Sequence, residues 1–484
     1  MKERKLVYII FLTLLMFSCG DDSTMEEEKP DPPKIEGTVS VVLTTVDQSS
    51  LLKEIPEKLP VMTGNSESGL VIDLDESQTA QTIEGFGAAL TGSSAYLLHN
   101  NDSALEMLFG DSGIKLGYVR LTMGASDFNK NKSYSYNETT EVEDLDLDNF
   151  SIEEDKINDN PLIPVAKAIL AKNAAIKFMS SPWTAPTWMK NNRAFNGGNL
   201  KTEYRDVYAD YFVKYLNAYK SEGININSLT VQNEPLYETS SYPTMKMSAM
   251  QQADFIGDFL GPKLKASGLN TKIIAYDHNF TESEDPDYPL TVLGDVQASK
   301  HTNAVAYHAY GGKPEDIARL TNAFPDSEIY FTEQSGIETD QTTFKGEIDY
   351  FMKNVFAGTL RRGAKAVLLW NLALNENNGP QNGGCDICTG VLKITSGGTI
   401  TKNPEYYILG HFSKYVNPGA KVIPTNALPG IIENVGFVNP DGSKVVVAYN
   451  ASGASGSQKI AVKTSDGFFE YNLPQGGLVT FKWD

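Results

Sequence analysis

The stretch SLTVQNEPLY, residues 228–237, passes from a short apolar, β-branched run straight into Asn233-Glu234-Pro235. A chain with 61 acidic residues can keep nearly all of them in water, so a carboxylate at the end of a run that reads as a buried strand needs a reason. Seven further runs share the design: TIEGFGAAL at 82–90, LGYVRLTMG at 116–124, AAIKFMSSPW at 174–183, TKIIAYDHN at 271–279, AVAYHAY at 304–310, EIYFTEQSG at 328–336 and AKAVLLWNLAL at 364–374. Longer amphipathic segments separate them. In residues 203–221, Tyr204, Val207, Tyr208, Tyr211, Phe212, Tyr215, Leu216 and Tyr219 recur at helical spacing, and Gly223 follows as a stop. Short apolar runs alternating with such segments predict a parallel sheet with helical crossovers, and eight of them predict an α/β chain with a (β/α)8 barrel over residues 81–404.

In a parallel barrel all strand C-termini open on one face, where the active site is built. The ends of these runs carry Arg120 and Asp127, Trp183 and Trp188, Asn233 and Glu234, Asp277 and His278, His308 and Tyr310, Glu333 and Gln334, and Trp370 and Asn371. The barrel gathers them into one pocket. Glu234 closes the fourth run and Glu333 the seventh, 99 residues later, so their side chains meet across its mouth. Two carboxyl groups facing a bound sugar are what glycosidic cleavage uses: one protonates the leaving oxygen, the other attacks the anomeric carbon or activates water. A separation of about 5–5.5 Å implies retention, and roughly 6.5–9.5 Å inversion. No ligand spacing is recognisable among the Asp and His residues and two carboxylates suffice, so neither metal nor cofactor is expected.

The remainder of the chain reads differently. Residues 37–80 and 405–484 carry short β-type runs such as TVSVVLTTV, KVVVAYNAS and GLVTFKW between turn residues, and predict one antiparallel β-sandwich built from both chain ends. At the N-terminus, Lys2, Arg4 and Lys5 precede the apolar LVYIIFLTLLMF, then Ser18 and Cys19. This pattern predicts an export signal over residues 1–19 and resembles a bacterial lipoprotein signal, with Cys19 as the lipidated residue. Residues 20–36, rich in Pro, Asp and Glu, are expected to form a disordered tether. The resulting protein is expected to be exported, a monomer, and lipid-anchored to the outer membrane on the cell surface, with periplasmic or secreted placement as alternatives. Cys385 and Cys388 are the other two cysteines; in an exported chain they predict a local disulfide, with free thiols as the other reading. The net charge of −20 argues against a polyanionic partner such as nucleic acid and suits a neutral ligand.

Five segments, SSPWTAPTWMKNN at 180–192, VQNEP at 231–235, YFTEQSG at 330–336, LLWNLALNENNGP at 368–380 and PEYYILGHFSKYVNPGAKVI at 404–423, together resemble glycoside hydrolase family 30, the glucosylceramidase-like group. The resemblance runs in family order from about Gln81 to Ile423. It implies a retaining double displacement with Glu234 as general acid/base and Glu333 as nucleophile, and it matches Asp127, Trp183, Asn233, His308, Tyr310 and Trp370 to positions lining the sugar subsite. In physical terms Asn233 would bond the 2-hydroxyl, Trp183 or Trp370 would offer an apolar platform, and Tyr310 or His308 would donate to Glu333, keeping it ionised while Glu234 holds its proton. CDICTG at 385–390 and YHAYGG at 307–312 depart from the lysosomal glucosylceramidase pattern. They are more similar to the bacterial and fungal branch that cleaves β-1,6-glucan, so a β-1,6-glucan substrate is expected. The alternatives are an exo-β-glucosidase of glucosylceramidase type, a β-xylosidase or a β-fucosidase. A non-catalytic glycan-binding lipoprotein on the same barrel is the reading from another class, and possession of both carboxylates argues against it.

Overall fold

The computed structural model describes residues 35–484 apart from 131, 140–142 and 454–455. Eight parallel strands close a barrel: β1 (Gly85–Leu90), β2 (Tyr118–Met123), β3 (Lys177–Pro182), β4 (Ile226–Thr230), β5 (Lys272–Asn279), β6 (Ala304–His308), β7 (Glu328–Glu333) and β8 (Ala364–Leu369), each beside its neighbour in sequence and β8 beside β1. All eight expected runs are strands. β1 and β2 are buried at every residue, as strands covered on both faces must be. Their approach requires Gly87, where a Cβ would sit 1.7 Å from the Tyr118 carbonyl oxygen.

Side chains alternate across a strand, so every second residue of each strand points inward. The lower interior is filled by Tyr118, Met179, Ile274, Ala304, Ala306, Tyr330, Ala366 and Leu368. Two residues further along their strands come Arg120, Ser181 and Thr332, and Thr230 at the end of β4 bonds Ser181 beside them; all four are buried. An apolar floor thus carries a polar layer at the strand C-termini, where the site forms.

A second, nine-stranded sheet is assembled from both chain ends. Ile35–Thr44 lies between Leu478–Trp483 and Lys53–Met62, and the sheet is antiparallel except where Leu70–Asp73 pairs in parallel with Gln458–Thr464. Its core holds Val39, Val41, Ile72, Val446, Phe469, Phe481 and Trp483. Two details differ from expectation. The first strand begins at Ile35, two residues inside the segment expected to be tether. Pro404–Ser413, at the start of the part assigned to the sandwich, is instead a helix buried along its whole length from Glu405 to Ser413; Asn403 and Pro404 start it, and being covered on all sides it carries no amphipathic stripe to mark it. The expected signal, most of the tether and Cys19 lie outside the described residues. Among the described residues no helix is long and apolar enough to cross a membrane.

His411 ties that helix to the end-built sheet. Its Nδ1 lies 2.8 Å from Thr480 Oγ1 and its Nε2 2.9 Å from Thr44 Oγ1. Thr480 also donates to the His411 carbonyl, at 3.0 Å, and Thr44 accepts from the Leu52 N–H, at 2.9 Å. With a neutral ring protonated on Nδ1, every donor in this chain meets an acceptor. Burial depresses the His411 pKa to about 3, against about 6.5 in an unfolded chain. The unfolded state therefore binds the extra proton, and stability is complete above about pH 6.5 and declines as the pH falls toward 3. Between pH 7 and pH 5 the loss from this residue is expected to be about 2 kcal/mol. Urea unfolding at the two pH values should show the change in stability differing between wild type and His411→Gln by that decrement.

Candidate active site

Asp277 organises the strand ends. It is fully buried in β5, where Tyr276 and Asp277 both take left-handed backbone, with φ 70° and 72°, and a register shift against β6 marks the bulge. Left-handed non-glycine residues cost about 1–2 kcal/mol each, and such strain concentrates at functional sites. Here it turns the Asp277 carboxylate into the barrel. Its Oδ2 accepts from Arg120 Nη2 at 2.9 Å, Ser181 Oγ at 2.9 Å and Thr230 Oγ1 at 2.6 Å. Its Oδ1 accepts from Thr332 Oγ1 at 2.7 Å and faces His308 Nε2 at 3.1 Å. Burial opposes ionisation, but the Arg120 charge and the His308 and Thr230 hydrogen bonds hold the Asp277 carboxyl far below the usual range.

Arg120 carries this anchor to the chemistry. Its Nη1 donates to Glu333 Oε2 at 2.5 Å and its Nη2 to Asn233 Oδ1 at 2.7 Å. An arginine only donates, so the Asn233 amide nitrogen is left for a ligand. The guanidinium also lies 5.0 Å from the ring centre of Trp183 and 5.4 Å from that of Trp370, and the two indoles stack at 5.1 Å. Glu333, the last residue of β7, accepts at its other oxygen from Tyr310 Oη, at 3.1 Å.

Glu234 lies four residues beyond β4 with φ 42°. Its N–H donates to the Asp277 carbonyl at 2.9 Å, and its carboxylate meets His308 Nδ1 at 3.1 Å. One oxygen of Glu234, one of Glu333 and one ring nitrogen of His308 all lie within 4.8 Å of one another. Among the described residues no other group of three His, Cys, Asp or Glu side chains comes close enough to hold a metal ion, and in this one Arg120 already occupies Glu333 and both His308 nitrogens face carboxylates.

Burial disfavours charge on His308, but Glu333, Asp277 and Glu234 around it carry its pKa up to about 9. The imidazolium donates to Glu234 and, against burial, holds that carboxyl below its ordinary range. Burial pushes Glu333 up, with Glu234 adding to the effect and His308 and Arg120 opposing it. The proton expected on Glu234 is therefore held next to it, on His308. Shifting it from Nδ1 to Glu234 leaves the pair's total charge unchanged. Asp127, half-buried beside both glutamates, is pushed well up, chiefly by desolvation and then by their charges.

These groups open into a cavity of about 560 Å³ whose lining includes Asp127, Tyr242, Tyr310, Trp370 and the bonded Cys385–Cys388 pair. Against known families, residues 83–416 match the glycosyl hydrolase family 30 TIM-barrel domain and residues 419–481 the family 30 β-sandwich domain. The chain belongs to glycoside hydrolase family 30. It is 35% identical over 410 residues to an endo-1,6-beta-D-glucanase of Neurospora crassa, covering 80% of this chain and 83% of the relative. It is 29% identical to the lysosomal acid glucosylceramidase of Mus musculus, with 86% and 84% covered. Among solved structures the endo-beta1,6-glucanase BT3312 superposes with a TM-score of 0.83 at 33% identity, covering 92% of this chain and 99% of that one.

Of the residues expected at the sugar subsite of this hydrolase, Asp127, Tyr310 and Trp370 line the cavity, while Trp183, Asn233 and His308 are buried against its lining. Tyr310 reaches Glu333 as expected, whereas His308 bonds Glu234 and Asp277 instead. Trp370 lines the cavity and Trp183 stacks on it. Cys385 and Cys388 form the disulfide. Arg120 and Asp277 are expected in the pocket as strand-end residues but with no role of their own; the structure makes them its centre. Their signal was a charge inside an apolar run, which folding tolerates only when it is paired.

Asp277→Asn should lower kcat/KM of the hydrolase by about 10²-fold through misplacement of Arg120 and His308. Losing a carboxylate partner also lowers the His308 pKa, so the alkaline limb of the pH–kcat/KM profile should move to lower pH. An unmoved limb would separate Asp277 from the shared proton.

Proposed function

We propose that this hydrolase cleaves β-1,6-glucan with retention, using Glu333 as nucleophile and Glu234 as acid/base. The observation that supports the mechanism is the approach of a Glu234 and a Glu333 carboxylate oxygen to within 4.8 Å, which favours the shorter of the two carboxyl spacings used by glycosidases. The observation that carries the substrate is the similarity to endo-1,6-β-glucanases at 35% and 33% identity.

A glucosyl residue would sit between the carboxylates with its apolar face toward Trp370 and its 2-hydroxyl at the Asn233 amide. Glu234, taking the proton from His308, gives it to the glycosidic oxygen as a Glu333 oxygen forms a bond to the anomeric carbon. The C–O bond to the leaving sugar breaks with its electron pair, leaving a glycosyl ester and ionised Glu234. Glu234 then removes a proton from water, whose oxygen displaces Glu333 from the opposite face. Arg120 and Tyr310 stabilise the Glu333 carboxylate that departs. Asp127, held neutral, is a hydrogen-bond donor for a hydroxyl of the same sugar. Exo-acting β-glucosidase activity is the second reading, favoured by the 29% identity to a lysosomal glucosylceramidase. The N-terminal pattern supports export and lipid anchoring at Cys19 on the cell surface.

Glu234→Ala should lower kcat on oligosaccharides by roughly 10³-fold or more while sparing substrates with activated leaving groups, and azide should restore turnover of the latter. Glu333→Gln should abolish turnover of both, and substantial residual activity would remove its assignment as nucleophile. Product sizing after incubation with pustulan, laminarin, xylan and glucosylceramide should show release from pustulan alone. Incorporation of labelled fatty acid, lost in Cys19→Ala, is the outcome expected of the anchor.

A further inference from the structure

The segment 382–389 meets three other parts of the barrel rim. The Asn382 N–H donates to the Asp127 carbonyl at 2.7 Å, and Gly384 lies so close to Asp127 that a Cβ there would meet its carbonyl oxygen at 2.9 Å. Gly383, with φ 81°, passes over the loop that follows β4, where a Cβ would sit 2.2 Å from the Ser241 oxygen. On the far side Cys388 bridges Ile337 in antiparallel fashion, the Glu338 N–H donates to Ile387 at 2.7 Å, and the Thr389 N–H donates to Gly336 at 2.9 Å, three residues from Glu333. Beneath, the Thr389 hydroxyl donates to buried Glu405.

The bond between Cys385 and Cys388 spans three positions. Closing so short a ring removes little unfolded-chain entropy, so its contribution is local. Both cysteines line the cavity. Cys388 belongs to an apolar cluster with Phe128, Trp183 and Trp370, and Cys385 and Tyr242 pack against it. Tyr242 stacks in turn on Tyr237, at 6.2 Å. Both tyrosines lie on the loop that begins with Glu234, so they border the side on which a leaving group protonated by Glu234 must lie. Among the described residues no Lys or Arg lines the cavity, which suits an uncharged sugar.

We propose that the disulfide-bridged segment 382–389, with Tyr242 and Ile337, is a binding wall for the sugar residue on the leaving side of the scissile bond, and that it sets which glycan chain is accepted rather than how fast the bond breaks. This rests on the acid/base role proposed for Glu234. The ligand is a neutral pyranoside whose C–H faces cover the disulfide and the tyrosine ring.

The test compares two substrates in the paired variant Cys385→Ser, Cys388→Ser. KM for a β-1,6-linked glucose oligosaccharide is expected to rise roughly 10-fold, with kcat/KM for 4-nitrophenyl β-glucoside within about 3-fold of wild type, since that leaving group does not require the sugar wall. Equal losses on both substrates, or no loss on either, overturn the proposal. Ile337→Ser, which leaves the disulfide intact, should show the same split, and it decides the matter if the paired variant does not fold. A wild type that ignores β-1,6-linked oligosaccharides but cleaves another β-glycoside overturns the substrate reading alone; the wall is then tested on oligosaccharide and aryl glycoside of that sugar, with the same two outcomes.

Discussion

The buried charge of Arg120 is the constraint around which the barrel mouth is arranged. Removing a guanidinium from water costs several kcal/mol even after relaxation, and that cost is offset here by close carboxylates and hydrogen bonds to Nη1 and Nη2, while Nε has no hydrogen-bond partner among the described residues. Asp277 at 2.9 Å and Glu333 at 2.5 Å supply the charge, and Asn233 at 2.7 Å supplies a further acceptor. These partners come from β5, β7 and the end of β4, while Arg120 belongs to β2. One cation therefore sets the relative positions of four strand ends, and a displacement of any of them leaves a buried charge underpaired. The left-handed residues at 276 and 277 are the backbone cost of bringing the Asp277 carboxylate to it.

The same cluster prepares proton transfer. His308 stands between Asp277 and Glu234 with both ring nitrogens at 3.1 Å from a carboxylate oxygen. Asp277, already committed to Arg120 and three hydroxyls, keeps its charge and so keeps His308 protonated. The proton that Glu234 needs is then stored next to it in a pair with no net charge, which a dry pocket tolerates better than an isolated ion. Glu333 is placed differently, with a strong donor at each oxygen.

The sandwich supports this mouth from outside. The helix Pro404–Ser413 is buried between the barrel and the end-built sheet, and His411 ties it to Thr44 near one chain end and Thr480 near the other. Glu405, in the first turn of that helix, lies under Gly336 and Thr389 at the rim. The interface between the two sheets thus reaches to within a few residues of Glu333.

Much of the architecture was legible in local pattern. The alternation of eight apolar runs with amphipathic segments determined the barrel, because burial on both faces of a parallel strand demands apolar residues wherever it occurs. The position of Glu234 and Glu333 at the ends of the fourth and seventh runs determined that they would share the mouth. Three sandwich strands were not legible: Lys421–Ile423 is only three residues long, Lys53–Met62 is largely exposed and reads KEIPEKLPVM, and Gly467–Leu473 is interrupted by polar residues. Which side chain pairs with which was decided only in three dimensions. Arg120 meets Glu333 across 213 positions of chain and Asp277 across 157, distances over which no periodicity operates. The order of apolar and polar residues along each strand determined that a polar layer would crown the barrel; closure of the ring decided that one arginine, one aspartate and one histidine within it would hold the two glutamates, because a buried charge takes the partner that folding brings within reach.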